Sequence, residues 1–256
     1  MNADNISGNR TQADQIFNPQ GLPGASGSVF MIPKTDLTPF VEEVLPLFKS
    51  VDYQNDIDFV KILAWRNVVI NKYNELIRTH IFGDNLPKIM AGDKLIADAP
   101  IVEDKKIMIS TNDEMEVIST TIESEVLSDL YTLKYYKARV KVFCNDIFNE
   151  YMIKIMHEDS DKDFEKILGM QKRLALSHPS GSYKAKSAWM DFYEFYNHWA
   201  RVKYSYCVSV HKSQGSTYNN AYVLAWDILL SSNTLERNRI LYTACTRPSH
   251  NLYVEY

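Results

Sequence analysis

Three cysteines in 256 residues, Cys144, Cys207 and Cys245, with no CxxC pair among them, leave nothing from which to build a disulfide framework or a zinc ribbon. Such sparse thiols suit a reducing compartment, where they are buried or idle. Glycine and proline, nine each, are too few for a fibrous or low-complexity chain. Long apolar runs are also missing. The stretch from Tyr222 to Leu230 is short and interrupted by Asp227, and the amino terminus MNADNISGNR has no apolar core for export. An intracellular protein without a membrane partner is expected. Positive charge is not in excess: 28 Lys and Arg stand against 32 Asp and Glu, a net charge of −4. No global field therefore draws the chain onto a polyanion, and any such contact has to be a local groove. What is present is ordinary for a globular protein, 45% hydrophobic and 23% charged, in a chain long enough for one or two domains.

Residues 1 to 28 are polar, with the loop signature Gly21-Leu22-Pro23-Gly24-Ala25-Ser26-Gly27-Ser28, and read as a linker. Behind Thr38-Pro39, the residues Phe40, Val41, Val44, Leu45, Leu47 and Phe48 recur at helical spacing, predicting a helix of about three turns. The run Asp58 to Trp65 predicts a strand that ends at Arg66. A helix follows, with Val69, Tyr73, Leu76, Ile77 and Ile81 on one face up to Gly83.

From Met90 to Ser119, short β-type segments separated by polar turns have the spacing of a small barrel. Between Ala91 and Leu130, ten acids oppose three lysines, a face that repels phosphate. Tyr131 to Phe143 and Tyr151 to His157 continue the β pattern. Lys134, Lys137, Arg139 and Lys141 on the first of these either line a path for a polyanion or form a solvated face. Asp161 to Ser177 and Ser187 to Tyr204 read as helices, and the aromatic row from Trp189 to Trp199 in the second reads as a buried face.

The chemistry-bearing stretches come last. Tyr206 to Tyr218, YCVSVHKSQGSTY, is a β-branched strand running directly into a polar cluster around a glycine. Glycine lets the main chain approach a ligand and expose its N–H groups, as a phosphate or sugar site requires. Leu235 to Tyr256, LERNRILYTACTRPSHNLYVEY, has a helix face of Ile240, Leu241, Ala244 and Cys245, closed by Pro248 and followed by an alternating strand. Arg247 stands at that helix end, where a planar guanidinium can reach a phosphate or simply neutralise the helix dipole.

With ILAWRNVVINKYNELIR, these stretches resemble, in order, motifs IV, V and VI of superfamily 1 helicases, especially the RecD and Dda-like group with its UvrD-like C-terminal domain. The resemblance covers roughly residues 55 to 256. It implies an α/β fold: a RecA-like parallel-sheet domain, the second motor lobe, interrupted by an inserted SH3-like β-barrel domain with flanking helices. On that pattern residues 1–54 are linker and leading helix, 55–90 plus 200–256 the RecA-like domain, and 91–199 the insertion with its helical extension. The implied activity is ATP-driven, 5′ to 3′ movement along single-stranded DNA with duplex unwinding.

Residue by residue, the resemblance puts Arg247 at the arginine-finger position, neutralising charge that develops on the γ-phosphate. It puts Arg66 near the phosphates as a second catalytic cation, and Gln214 and Gly215 facing nucleotide. His211, Lys212, Ser213 and Ser216 match positions that couple the nucleotide cleft to the DNA backbone. Thr217 replaces an acid found in many relatives, and Pro248 an alanine. No GxxxxGK[ST] phosphate loop and no strand-end acidic pair for magnesium occur in these residues, and no metal site of the chain's own is expected. ATP with Mg²⁺ would thus be shared with an N-terminal RecA-like lobe supplied elsewhere, in a longer or a split helicase. Replication or repair proteins are further expected partners. The alternative is a degenerate, non-catalytic lobe that docks DNA or protein.

Overall fold

A computed structural model describes residues 27–256 apart from 104, 105, 145 and 146. Most of the polar leader, residues 1–26, lies outside the described residues, and with it most of the expected linker. The chain divides into two units, the described residues up to Tyr73 together with Cys207–Tyr256, and Asn74–Tyr206.

The first unit is built on five parallel strands, numbered along the chain: β1 (Ser28–Ile32), β2 (Val60–Ala64), β10 (Cys207–Ser209), β11 (Tyr218–Leu224) and β12 (Pro248–Glu255), in the spatial order β1-β12-β11-β2-β10. All five residues of β2 and six of the seven in β11 are buried. Strands covered on both faces read as continuous apolar runs, which is why VKILA carries no alternation. Glu255 is buried at the end of β12 and accepts hydrogen bonds from the hydroxyls of Tyr222 (2.7 Å) and Tyr73 (3.2 Å). Burial, together with the Glu255 charge and hydrogen bond, pushes both phenols well above their ordinary value.

Two expectations change in this unit. Residues 28–32 are a strand rather than linker: SVFMI pairs in parallel with β12, and Phe30 stacks on Tyr253 with centroids 4.8 Å apart. Just before it, a Cβ at Gly27 would collide with the carbonyl oxygen of His250, so only glycine lets the chain approach the sheet edge this closely. The single helix expected after Pro39 is broken into a π-helical turn (Phe40–Val44), a 3-10 segment (Leu45–Lys49) and a short helix α1 (Val51–Asn55). Pro46 supplies no N–H inside the run, and Ser50 restarts the helix by accepting the Tyr53 N–H on its hydroxyl at 3.1 Å. The strand ending before Arg66 is as expected, and α2 (Asn67–Phe82) follows it and continues into the second unit.

The second unit contains an antiparallel sheet in the order β8-β7-β6-β3-β9, made of β3 (Lys94–Ala97), β6 (Glu114–Ser128), β7 (Tyr131–Cys144), β8 (Ile147–Met156) and β9 (Val202–Tyr204). A separate hairpin joins β4 (Ile101–Glu103) to β5 (Lys106–Ile109). Leu95, Met115, Val117, Tyr136, Val140 and Ile155 centre its core. Arg78 and Asp93, both buried, form a two-point ion pair (Nε to Oδ1 2.6 Å, a terminal nitrogen to Oδ2 2.9 Å). The Met90 N–H and the Tyr206 hydroxyl complete the carboxylate's partners.

Helices α3 (Asp161–Ser177) and α4 (Tyr183–Asn197) pack on each other. The second ends seven residues sooner than its aromatic periodicity suggests. Trp199 and Ala200 turn inward, the Ala200 N–H donates to the Lys154 carbonyl at 2.7 Å, and Val202–Tyr204 pairs with β3 instead. The aromatic row is accordingly not one buried face. Trp199 is buried beyond the helix, Trp189, Phe192, Phe195 and Tyr196 are half-buried, and Tyr193 is exposed against Trp189.

The basic residues of β7 also have local partners. Lys134 pairs with Asp159 (2.9 Å), Lys137 with Glu123 (3.2 Å) and Arg139 with Glu150 (3.6 Å), while Lys141 lies over the Phe148 ring. The acid excess of β6 and its neighbours is thus matched across the sheet, which weakens β7 as a track for a polyanion.

Candidate nucleotide and nucleic-acid face

In the first unit, β10 and β11 run in the same direction, so the loop between them has to travel back along the sheet. A stack of tight turns does this: Lys212 and Ser213 N–H donate to the Ser209 carbonyl, Gln214 N–H to His211, and Ser216 N–H to Ser213. Gly215, at φ +92°, provides the left-handed residue that turn requires. The loop is pinned at one end by the Val210 N–H on the Ala64 carbonyl and at the other by the Tyr218 N–H on the Arg247 carbonyl. His211 therefore lies at the carboxyl end of the strands and Ser216 toward the amino end.

Helix α6 (Thr234–Cys245) runs beside this loop and is capped by Asn233, whose side-chain oxygen accepts the Glu236 N–H at 3.1 Å. A short helix α5 (Ala225–Ile228) precedes it. Between loop and helix is an open groove of about 420 Å³, lined by His211 and Gln214 on one side and by Glu236, Arg239 and Thr243 on the other. Val210, Leu235 and Ile240 complete the lining, so the groove offers charged and hydrogen-bonding groups beside apolar surface.

Arg247 follows α6. Its Nε donates to the Thr243 carbonyl (3.0 Å), one terminal nitrogen to the Ser216 carbonyl (3.1 Å) and the other to the Thr246 hydroxyl (3.1 Å). The guanidinium thus joins the helix end to the β10–β11 loop, and two of its five N–H donors stay available for an anion. Gln214 and Gly215 are exposed on the same loop, and Lys212 and Ser216 are half-buried. Ser213 needs a correction. It is buried and its hydroxyl donates to the Val210 carbonyl at 2.8 Å, so it shapes the turn and offers no surface for DNA.

Arg66 is elsewhere. It sits at the carboxyl end of β2, and its Nε contacts Asp227 Oδ1 at 2.5 Å. Register places Val223 of β11 beside Leu63 and Tyr218 beside Pro248, so Arg66 and Arg247 stand beyond opposite ends of β11, whose seven residues span roughly 20 Å at the rise of a strand. Arg66 and Arg247 thus stand at opposite ends of the sheet, and their sharing of the nucleotide phosphates is what the resemblance implies. Arg247 shares its end of the sheet with Ser216, and Arg66 shares the other with Asp227 and Trp226.

Asp227 is the functional candidate that motif reading missed. It is buried, and it accepts the backbone N–H of Trp65 (2.8 Å) and of Arg66 (2.9 Å) besides the Arg66 side chain. The signal was present as the lone acid inside the apolar stretch from Tyr222 to Leu230. Among the described residues no cluster of three or more His, Cys, Asp or Glu could hold a metal ion, and no helix is long and apolar enough to cross a membrane.

Residues 204–254 match the UvrD-like helicase C-terminal domain. Over 264 residues the chain is 22% identical to the ATP-dependent DNA helicase dda of Enterobacteria phage T4, covering 98% of this chain and 57% of that protein. It is 25% identical over 229 residues to the uncharacterized protein R530 of Acanthamoeba polyphaga mimivirus, covering 75% of this chain and 46% of that one. The chain thus spans about half the length of the curated relatives it matches. Among solved structures, the Pif1 helicase from Candida albicans matches with a TM-score of 0.41 and 12% identity, over 77% of this chain and 44% of that one. A Pif1 helicase from Bacteroides in complex with ADP-AlF3 and ssDNA matches with a TM-score of 0.35 and 10% identity, over 84% and 44%.

Proposed function

We propose that this chain, which resembles the C-terminal half of superfamily 1 helicases of the Dda-like group, is the second motor lobe and single-stranded DNA-binding portion of an ATP-dependent DNA helicase. The observation that carries the reading is the Arg247–Ser216 hydrogen bond, which ties the helix of motif VI to the loop of motif V at one end of the parallel sheet. In a two-lobe motor the nucleotide lies between lobes, and this chain provides one wall: Arg247 facing the γ-phosphate, with Gln214 and Gly215 beside it. On this reading the phosphate loop and the carboxylates for Mg²⁺ belong to a partner lobe. Mg²⁺ bound with ATP would supply neutralisation of phosphate charge, and the part left to this chain is to place the Arg247 guanidinium against the transferred group.

Arg66, at the far end of the sheet, then serves the other phosphate-bearing ligand, the DNA strand. His211 and Lys212, at the same carboxyl end, join it. Ligands of open α/β sheets characteristically lie outside the carboxyl ends of the strands. We take the unit Asn74–Tyr206, with its antiparallel sheet and helix pair, as the SH3-like insertion of the Dda-like group, and 5′ to 3′ movement as the polarity.

A second reading has its own support. All three guanidinium nitrogens of Arg247 already have partners within the chain, as expected of a purely structural cation in a degenerate docking lobe. DNA-stimulated ATP hydrolysis separates the two. The chain alone is expected to be silent and to become active when a phosphate-loop lobe is supplied by fusion. Silence in both, with DNA binding retained, favours the docking lobe.

A further inference from the structure

We infer that Asp227 is a positioning residue for Arg66, holding its guanidinium in a fixed orientation for a phosphate-bearing ligand. The inference rests on the reading of Arg66 as a phosphate contact. A fully buried carboxylate is costly unless it is paired and hydrogen-bonded. All three donors that satisfy Asp227 come from one place, the turn between β2 and α2: two backbone N–H groups, of Trp65 and Arg66, and the Nε of Arg66. The backbone pair would suffice to lock the turn. The third bond does something different, because it fixes the side chain by its Nε edge.

The consequence lies at the other edge. Among the described residues the two terminal nitrogens of Arg66 make no hydrogen bond, and the side chain is 40% exposed while that of Asp227 is 0%. A guanidinium held this way keeps its terminal fork for two oxygens of one anion, with the rotamer entropy already paid. Trp226, next to Asp227, lies with its ring centroid 6.0 Å from the Arg66 guanidinium carbon, and Lys34 lies over the same ring at 3.6 Å. Arg66 and Lys34 thus share the Trp226 ring as a neighbour, on three segments that lie at the carboxyl end of the sheet.

The test is a double-mutant cycle on the full chain, with a fluorescein-labelled oligothymidylate as probe. Asp227→Asn keeps the volume and an acceptor oxygen for the backbone N–H groups but loses the charge that fixes Nε. It is expected to weaken binding by about threefold or more when Arg66 is present, and by much less in an Arg66→Ala background, the signature of two residues acting as one unit. Equal weakening in both backgrounds, or none with Arg66 present, overturns the proposal. The Arg66 Nε–H proton signal, assigned by its loss in Arg66→Lys, gives a reading on the unsubstituted chain even if Asp227→Asn fails to fold. It is expected to be protected from solvent exchange. If the chain does not bind oligothymidylate at all, the DNA reading of Arg66 fails, and the protected proton alone upholds positioning. Exchange as fast as in a free arginine overturns it.

Discussion

Arg247 and Ser216 are 31 residues apart, and the 3.1 Å hydrogen bond from the arginine's guanidinium to the serine's carbonyl joins the two motifs most indicative of a motor lobe. The same side chain holds the Thr243 carbonyl at the end of α6. A rearrangement of this guanidinium on nucleotide binding would therefore be felt both by the helix and by the β10–β11 loop, whose far end reaches His211 at the carboxyl edge of the sheet. That physical path links the proposed nucleotide end to the proposed DNA end.

Asp93→Ala leaves Arg78 as an uncompensated buried charge, and its expected cost is about 3–5 kcal/mol. The double variant Asp93→Ala with Arg78→Met is expected to recover a large part of that loss. Urea unfolding of the four proteins measures it, and simple additivity of the two single losses would contradict the pairing.

The described thiols should be inert in the native state. Burial pushes the Cys245 thiol up to about 12, and burial also pushes the fully buried Cys207 well up, with the Asp227 charge adding to it. A thiol raised in the fold holds its proton more tightly than in the unfolded chain. The linked stability is therefore complete below the ordinary thiol value of about 9 and is lost as pH rises above it. Alkylation at pH 8, followed by mass spectrometry, is expected to be at least about a hundredfold slower at both residues in native than in denatured protein. Comparable rates would contradict the raised thiol values of the buried Cys207 and the half-buried Cys245.

Because Lys134, Lys137 and Arg139 are already paired with Asp159, Glu123 and Glu150, replacing all three by alanine should barely change affinity for single-stranded DNA. The slope of log affinity against log salt is expected to shift by well under the roughly 0.7 per cation that full phosphate contacts would give. A shift of about two in titrations from low to moderate salt would restore β7 as a DNA track.

Glycine has two distinct jobs here. Gly215→Ala meets open space, so its cost is that of a left-handed backbone alone, about 1–2 kcal/mol. Gly27→Ala instead drives a methyl into a backbone carbonyl and should release β1 from β12. Hydrogen exchange at residues 28–32 reads this directly: protection lost in Gly27→Ala but kept in Gly215→Ala.

Much of the fold was legible where periodicity and local chemistry agreed. The strand ending before Arg66, the helix after it, the long β7 strand and the helix leading to Arg247 all announce themselves by spacing, whereas β6 announces only a short segment and runs on to Ser128. Legibility failed where tertiary contacts decide. Ser28–Ile32 is a strand only because β12 offers it an edge, and α4 stops at Asn197 because Trp199 finds a core. The site shows the same limits. Arg247, Gln214 and Gly215 share one loop-and-helix junction, but the parallel register that sets Arg66 a strand's length away is a long-range property. Nor does residue type reveal that Ser213 points inward while its neighbours on the same loop stay at the surface. Asp227 was visible as an anomaly, an acid in an apolar run, without a partner to explain it until the β2–α2 turn was placed beside it.

The most direct measurement is single-turnover ATP hydrolysis, stimulated by single-stranded DNA, in this chain fused to a phosphate-loop lobe, comparing Arg247 with Arg247→Ala and Arg247→Lys. If Arg247 completes the site across the cleft, both variants should bind ATP nearly as well and hydrolyse it about 10³-fold or more slowly. Lysine would not rescue, since a point charge cannot replace the planar fork. Unchanged turnover in Arg247→Ala, in a fusion that hydrolyses ATP, would contradict the motor reading and leave Arg247 as the clasp between α6 and its neighbouring loop.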